Sequence, residues 1–147
     1  MSTTLSLHEV VDELDGRSIV EEIEFPSRFI VAAIQHNENA YTTIYAIGRT
    51  LYVKETPDEI LQKIKLRNQM YPNQYLTVDF RIYHDMEKAV LVDMTSIRSI
   101  SSLTRFQTEF KFRRGNTFVI RTPLEWLDVP KNKIKKPRKV NNYASDL

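Results

Sequence analysis

Short strand-like runs dominate the pattern of apolar and polar positions along this chain. In the first half they cover 18–24, 29–34 and 42–47, with a further run from Thr50 to Lys54. The piece Tyr41-Thr42-Thr43-Ile44-Tyr45 is rich in β-branched and aromatic residues that suit a pleated, half-buried surface. Gly48-Arg49 then marks a hairpin turn. In the second half the runs are 75–83, 88–93, 106–113 and 117–121, separated by His84-Asp85-Met86-Glu87 and Arg114-Gly115-Asn116.

Helical spacing shows in three places. Ser6-Leu7-His8-Glu9 has the form of a capping box, and Leu7, Val10, Val11 and Leu14 follow it, which predicts a helix over 7–15 stopped at Asp15-Gly16. Thr56-Pro57-Asp58-Glu59 is a stronger start: a capping threonine, a proline at the first helical position and a glutamate three residues after the cap. Ile60, Leu61 and Ile64 supply the buried stripe of a helix over 57–68. Thr122-Pro123-Leu124-Glu125 repeats that start, with Pro130 limiting it to about two turns. Trp126 is expected to staple this last helix to the sheet.

The two halves agree in kind at a shift of 67 residues. Ile23, Phe25 and Ile30 fall on Val90, Val92 and Ile97, and Gly48, Thr50, Leu51 and Val53 fall on Gly115, Thr117, Phe118 and Ile120. After one deletion Thr56-Pro57 meets Thr122-Pro123. This is either a duplication or two similar pieces built by common turn chemistry. The expected fold is α+β and mainly antiparallel β, with two similar strand-hairpin-helix units, an N-terminal helix and a disordered basic tail. One β-rich domain spans 1–130, with repeats over 19–68 and 86–128, and the tail covers 131–147.

The stretch "GRTLYVKETPDEILQKI" resembles the C-terminal half of the small flagellar FlbD family. The longer stretch "AYTTIYAIGRTLYVKETPDEILQKI", followed by "FRIYHDMEKAVLVDMTSIRSI" and "FKFRRGNTFVIRTPLEWL", also resembles the order of elements in LytTR DNA-binding domains over residues 29–128. That resemblance implies a β module that regulates by binding DNA. It places the family's basic stretch on residues 81–88, where Arg81, His84 and Lys88 are candidate phosphate contacts beside Asp85 and Glu87.

Charge adds to this picture. The net charge of +2 divides into +5 for residues 131–147 and −3 for residues 1–130. A mildly acidic body with a basic tail points to an acidic partner, either nucleic acid or a protein subunit. The absence of cysteine excludes disulfides, thiolate metal sites and cysteine nucleophiles. No run approaches a membrane span and the N-terminus has no signal-like segment, so no membrane partner and a cytoplasmic (or, if viral, virion) location are expected.

Catalytic and metal constellations are missing. His8, His36 and His84 form no His-x-x-x-His pattern, and three glycines make no phosphate-cradling loop. Hence no enzyme activity, catalytic residue, metal or cofactor is expected. Phe110 and Phe112 fall on one face of a strand and Lys111 and Arg113 on the other, a pattern that favours core packing over base stacking. The expected function is non-enzymatic binding or regulation, with contacts to nucleic acid, or to a nucleic-acid-associated complex, from Lys111, Arg113, Arg114, Lys131, Lys133, Lys135, Lys136, Arg138 and Lys139. The alternative is a small assembly protein of a virion or appendage, a homo-oligomer in which the tail docks on a neighbouring subunit and sheet edges pair.

Overall fold

A computed structural model describes residues 4–37, 40–70 and 78–135. The chain forms two compact units that divide at Thr95/Ser96. Both are mainly antiparallel β, and the described residues contain one α-helix.

The first unit is a seven-stranded sheet. Its strands are β1 (Thr4–Leu14), β2 (Arg17–Pro26), β3 (Ile30–Gln35), β4 (Thr42–Ala46), β5 (Arg49–Val53), β6 (Phe80–His84) and β7 (Ala89–Asp93). Their spatial order is β2-β1-β5-β4-β3-β7-β6, with every neighbouring pair antiparallel. The helix α1 (Pro57–Met70) lays Ile60, Leu61 and Ile64 on a core that includes Leu7, Phe25, Ile44 and Leu91. The capping box forms as its spacing predicts: Glu59 N–H donates to Thr56 Oγ1 at 3.1 Å, and Thr56 N–H donates to Glu59 Oε1 at 2.8 Å.

The N-terminal helix expected over 7–15 is instead β1. Leu5 and Leu7 are both buried, two residues apart, which is strand periodicity. Ser6 uses its hydroxyl on Glu22, and His8 gives its backbone N–H to Glu55, so no capping box forms. Asp15-Gly16, read as a helix stop, is the two-residue turn of the β1–β2 hairpin. Both residues have positive φ, 53° and 74°. That geometry suits the right-handed twist of paired strands, and Asp-Gly is a preferred pair for it.

The second unit is a three-stranded meander, β8 (Ile97–Thr104), β9 (Gln107–Phe112) and β10 (Thr117–Ile120), in the order β10-β9-β8. The serine-rich β8 has no strong apolar run and was not expected as a strand. Phe110 stacks on Phe118 at 4.7 Å between ring centroids, and Ile97, Ile100 and Ile120 are buried. The helix expected at Thr122-Pro123 is a single 3-10 turn, Leu124–Trp126. Trp126 staples nothing there; it is 76% exposed.

The start of the supposed tail is ordered. Lys131–Lys133 make a 3-10 turn, and Ile134 bridges Ile100 in parallel. Lys135 N–H donates to Ile100 O at 2.8 Å. Pro130, with φ −62°, presets the backbone for that turn. The disordered tail over 131–147 is therefore corrected for 131–135, while 136–147 lie outside the described residues.

Candidate nucleic-acid interface

The unit boundary sharpens the charge division. Residues 1–95 carry 15 acidic and 9 basic residues, net −6, whereas residues 96–147 carry 12 basic and 4 acidic, net +8. The positive charge belongs to the whole second unit, with Arg98, Arg105 and Arg121 contributing from outside the tail. Sequence reading missed these three because no glycine, proline or linker stretch marks the boundary at Thr95/Ser96.

Backbone bonds gather cations at one end of the three-stranded sheet. β8 begins there with a bulge between Ile97 and Ser99 that holds Arg98, which is exposed. β9 ends there in the turn Arg113–Asn116, where Gly115 has φ +93° and Phe112 N–H donates to Asn116 O at 2.8 Å. Such a turn needs a residue tolerant of positive φ. Arg113 N–H donates to Ser96 O at 3.0 Å, tying this turn to the start of β8. The 131–133 turn reaches the same end, because Lys133 Nζ donates to Ile97 O at 2.8 Å. Arg98, Arg113, Arg114, Lys131 and Lys133 thus share one end of one sheet.

Lys111 sits nearby on the face of β9 opposite Phe110. It is flanked by Ser99 and Thr117 across the strands, with Glu109 Oε1 at 4.0 Å. A hydroxyl–ammonium–hydroxyl rung presents donors of the kind that position phosphate oxygens. Lys135 is exposed beside this face's β8 edge. Lys136, Arg138 and Lys139 lie outside the described residues.

The candidate contacts in the first unit are already paired. Arg81 makes two bonds to Asp79, both 3.1 Å, Lys88 Nζ reaches Asp85 at 3.2 Å, and His84 Nε2 meets Asp58 Oδ2 at 2.9 Å. A phosphate there would have to displace a carboxylate at each position. His8, like His84, takes a structural partner. His8 Nδ1 lies 2.6 Å from Glu55 Oε2, while its backbone N–H donates to Glu55 Oε1 at 2.9 Å. Burial alone would push the Glu55 carboxyl up, but the bonds from His8 outweigh it and hold the group below its ordinary value. This pair fastens β1 to the start of α1. Among the described residues no group of three or more His, Asp or Glu side chains could hold a metal ion. No described helix is long and apolar enough to cross a membrane.

No protein-family model and no curated protein matches the chain. Among solved structures, the chain is similar to a LytTr DNA-binding domain from Bacillus cereus, with 14% sequence identity and a TM-score of 0.47 over 82% of this chain and 88% of that one.

Proposed function

We propose that this chain is a non-enzymatic nucleic-acid-binding protein whose contact surface is the second unit. The carrying observation is the convergence of Arg98, Arg113, Arg114, Lys131 and Lys133 at one end of a sheet in a unit of net +8. Like charges held together repel one another, and a polyanion relieves that repulsion while releasing its own counterions. The protruding Arg113–Asn116 turn is the leading contact, with Lys111 and the Ser99–Thr117 rung behind it. We also read the three consecutive strands β3-β4-β5 of the first sheet and the meander β8-β9-β10 as copies of one unit, of which only the second carries a surplus of cations.

Fluorescence anisotropy with a labelled duplex tests the proposal. Affinity should fall steeply between about 50 and 200 mM salt. Arg113→Glu with Arg114→Glu should weaken binding uniformly across sequences and flatten the log–log salt slope by roughly 2. Unchanged affinity in that double variant, or no binding by the full chain at the lowest salt, sinks the reading. Truncation after Lys135 should weaken binding and leave the fold intact, whereas truncation after Pro130 also removes Ile134 and the Lys133 bond.

A further inference from the structure

The acidic surplus of the first unit is as localised as the basic surplus of the second. The β1–β2 hairpin, Thr4–Pro26, holds seven acidic residues against Arg17, net −6. Residues 27–95 balance at eight of each sign. The whole charge of the first unit therefore sits on one hairpin.

That hairpin is also an arm. β1 pairs with β5 at Glu9↔Val53, and Lys54 N–H donates to His8 O. Beyond Glu9, β1 pairs only with β2 among the described residues. A two-stranded ribbon is marginal without a third element to cover it. Its far end nonetheless exposes Val11, Leu14 and Ile19, with Leu14 62% accessible. Val11 is the extra residue of a bulge between Val10 and Asp12. Leu14 and Ile19 occupy neighbouring rungs on one face, opposite Arg17 and Asp12 respectively. Carboxylates alone on an edge strand would serve to block unwanted pairing. Exposed aliphatic residues work against that purpose, so the tip has the composition of a contact surface.

The second unit carries the complementary surface at the end of its sheet away from the Arg113–Asn116 turn. Its β8–β9 turn exposes Leu103, Arg105 and Phe106, with Phe106 67% accessible. Thr104 shapes this turn: its Oγ1 accepts the Phe106 N–H and donates to Gln107 Oε1, both at 3.2 Å. One surface is aliphatic and acidic; the other is aliphatic, aromatic and basic.

We infer that the arm tip of one copy docks on the β8–β9 turn of a second copy of this chain. Pairing arm with arm would bring two groups of net −6 together, so the contact is head to tail. It leaves the Arg113–Asn116 end of each second unit open. The inference goes beyond the nucleic-acid reading and does not depend on it.

Two variants test it, by light scattering on the full chain. Leu14→Lys with Ile19→Lys spoils the arm, and Arg105→Glu with Phe106→Ser spoils the turn. The wild-type mass should rise with concentration and fall toward the monomer as salt increases over about 50–500 mM. Each variant alone should be monomeric, but their 1:1 mixture should form a heterodimer, since one brings an intact turn and the other an intact arm. A wild type monomeric at every concentration, self-association by either variant alone, or a mixture that stays monomeric overturns the inference. Thermal unfolding checks that both variants fold; if either does not, Leu14→Ser and Phe106→Ser replace them with the same expected outcomes. The arm variant should bind duplex as the wild type does at concentrations below self-association, so failure here is distinguishable from failure of nucleic-acid binding.

Discussion

The meanders β3-β4-β5 and β8-β9-β10 begin alike and end differently. Each follows a 3-10 turn, Ser27–Phe29 or Met94–Ser96, spaced 67 residues apart. Each opens on a buried isoleucine, Ile30 or Ile97, followed at once by a bulge. Each turns its second hairpin through a positive-φ glycine, Gly48 at 84° or Gly115 at 93°. The central rungs correspond as well: Ile44 faces Leu51 where Phe110 faces Phe118. Both then reach Thr-Pro, and there they part.

The threonine carbonyls show why. Thr56 O accepts the Ile60 N–H at 2.9 Å, the first bond of α1. Thr122 O instead accepts the hydroxyl of Thr108 at 2.8 Å, and Trp126 N–H donates to Pro123 O, closing a 3-10 turn. Thr42, which faces Val53 as Thr108 faces Ile120, has a buried hydroxyl without a hydrogen-bond partner. Further along, the segment after the first Thr-Pro has an apolar stripe to bury, whereas the segment after the second meets Pro130, which disfavours helix in the residue before it. The same start signal thus yields a 14-residue helix in one context and a three-residue turn in the other.

The central rung carries the largest expected effect. Phe110→Ala should cost about 3–5 kcal/mol, since the ring is fully buried against Phe118. Urea denaturation should show Ile44→Ala losing about 2–5 kcal/mol at the matching position. A near-neutral Phe110→Ala would mean that the second meander has no core of its own.

Glu55 has no counterpart after the second meander, where Arg121 is followed directly by Thr122-Pro123. Because its carboxyl is held below 4.5, its contribution is present above that pH and is lost as pH falls through the lowered value. Glu55→Gln should cost about 1–3 kcal/mol at pH 7 by spoiling the His8 bonds. It should also flatten the acid limb of a melting-temperature profile. An unchanged acid limb would detach Glu55 from the docking of β1.

The two threonine hydroxyls give an opposite-sign test. Thr108→Val should destabilise by about 1 kcal/mol, whereas Thr42→Val should be neutral or slightly stabilising because its hydroxyl is already unsatisfied. Equal losses in both would refute the account of the diverted carbonyl. Smallest is the cap comparison: Thr56→Ala should cost about 1 kcal/mol, and Thr122→Ala less than about 0.5, since the 3-10 turn has no side-chain cap bond. A melting temperature unmoved by Thr56→Ala would remove the capping box from the explanation of α1.

Local chemistry was legible in the residues. Thr56-Pro57 with Glu59, the glycine turns at Gly48 and Gly115, and the alternation in β4, β5, β9 and β10 depend on neighbours a few positions away, and they form as read. Asp15-Gly16 is a legible turn signal too, but the helical spacing of Leu7, Val10, Val11 and Leu14 makes it look like a helix stop, whereas it is a hairpin turn. Long-range pairing decided that case: β1 gains a strand on either side, which a free helix would not have. Of the candidate residues, Lys111, Arg113 and Arg114 are legible as candidates in the sequence because they flank a visible turn. Arg98 is not, since its place depends on β8, a serine-rich strand whose partner lies across a turn. Only the tertiary structure could bring Lys131 and Lys133 to the same end of the sheet. Side-chain periodicity records which face a residue takes within its own strand, and carries no information about which distant strands will share an end.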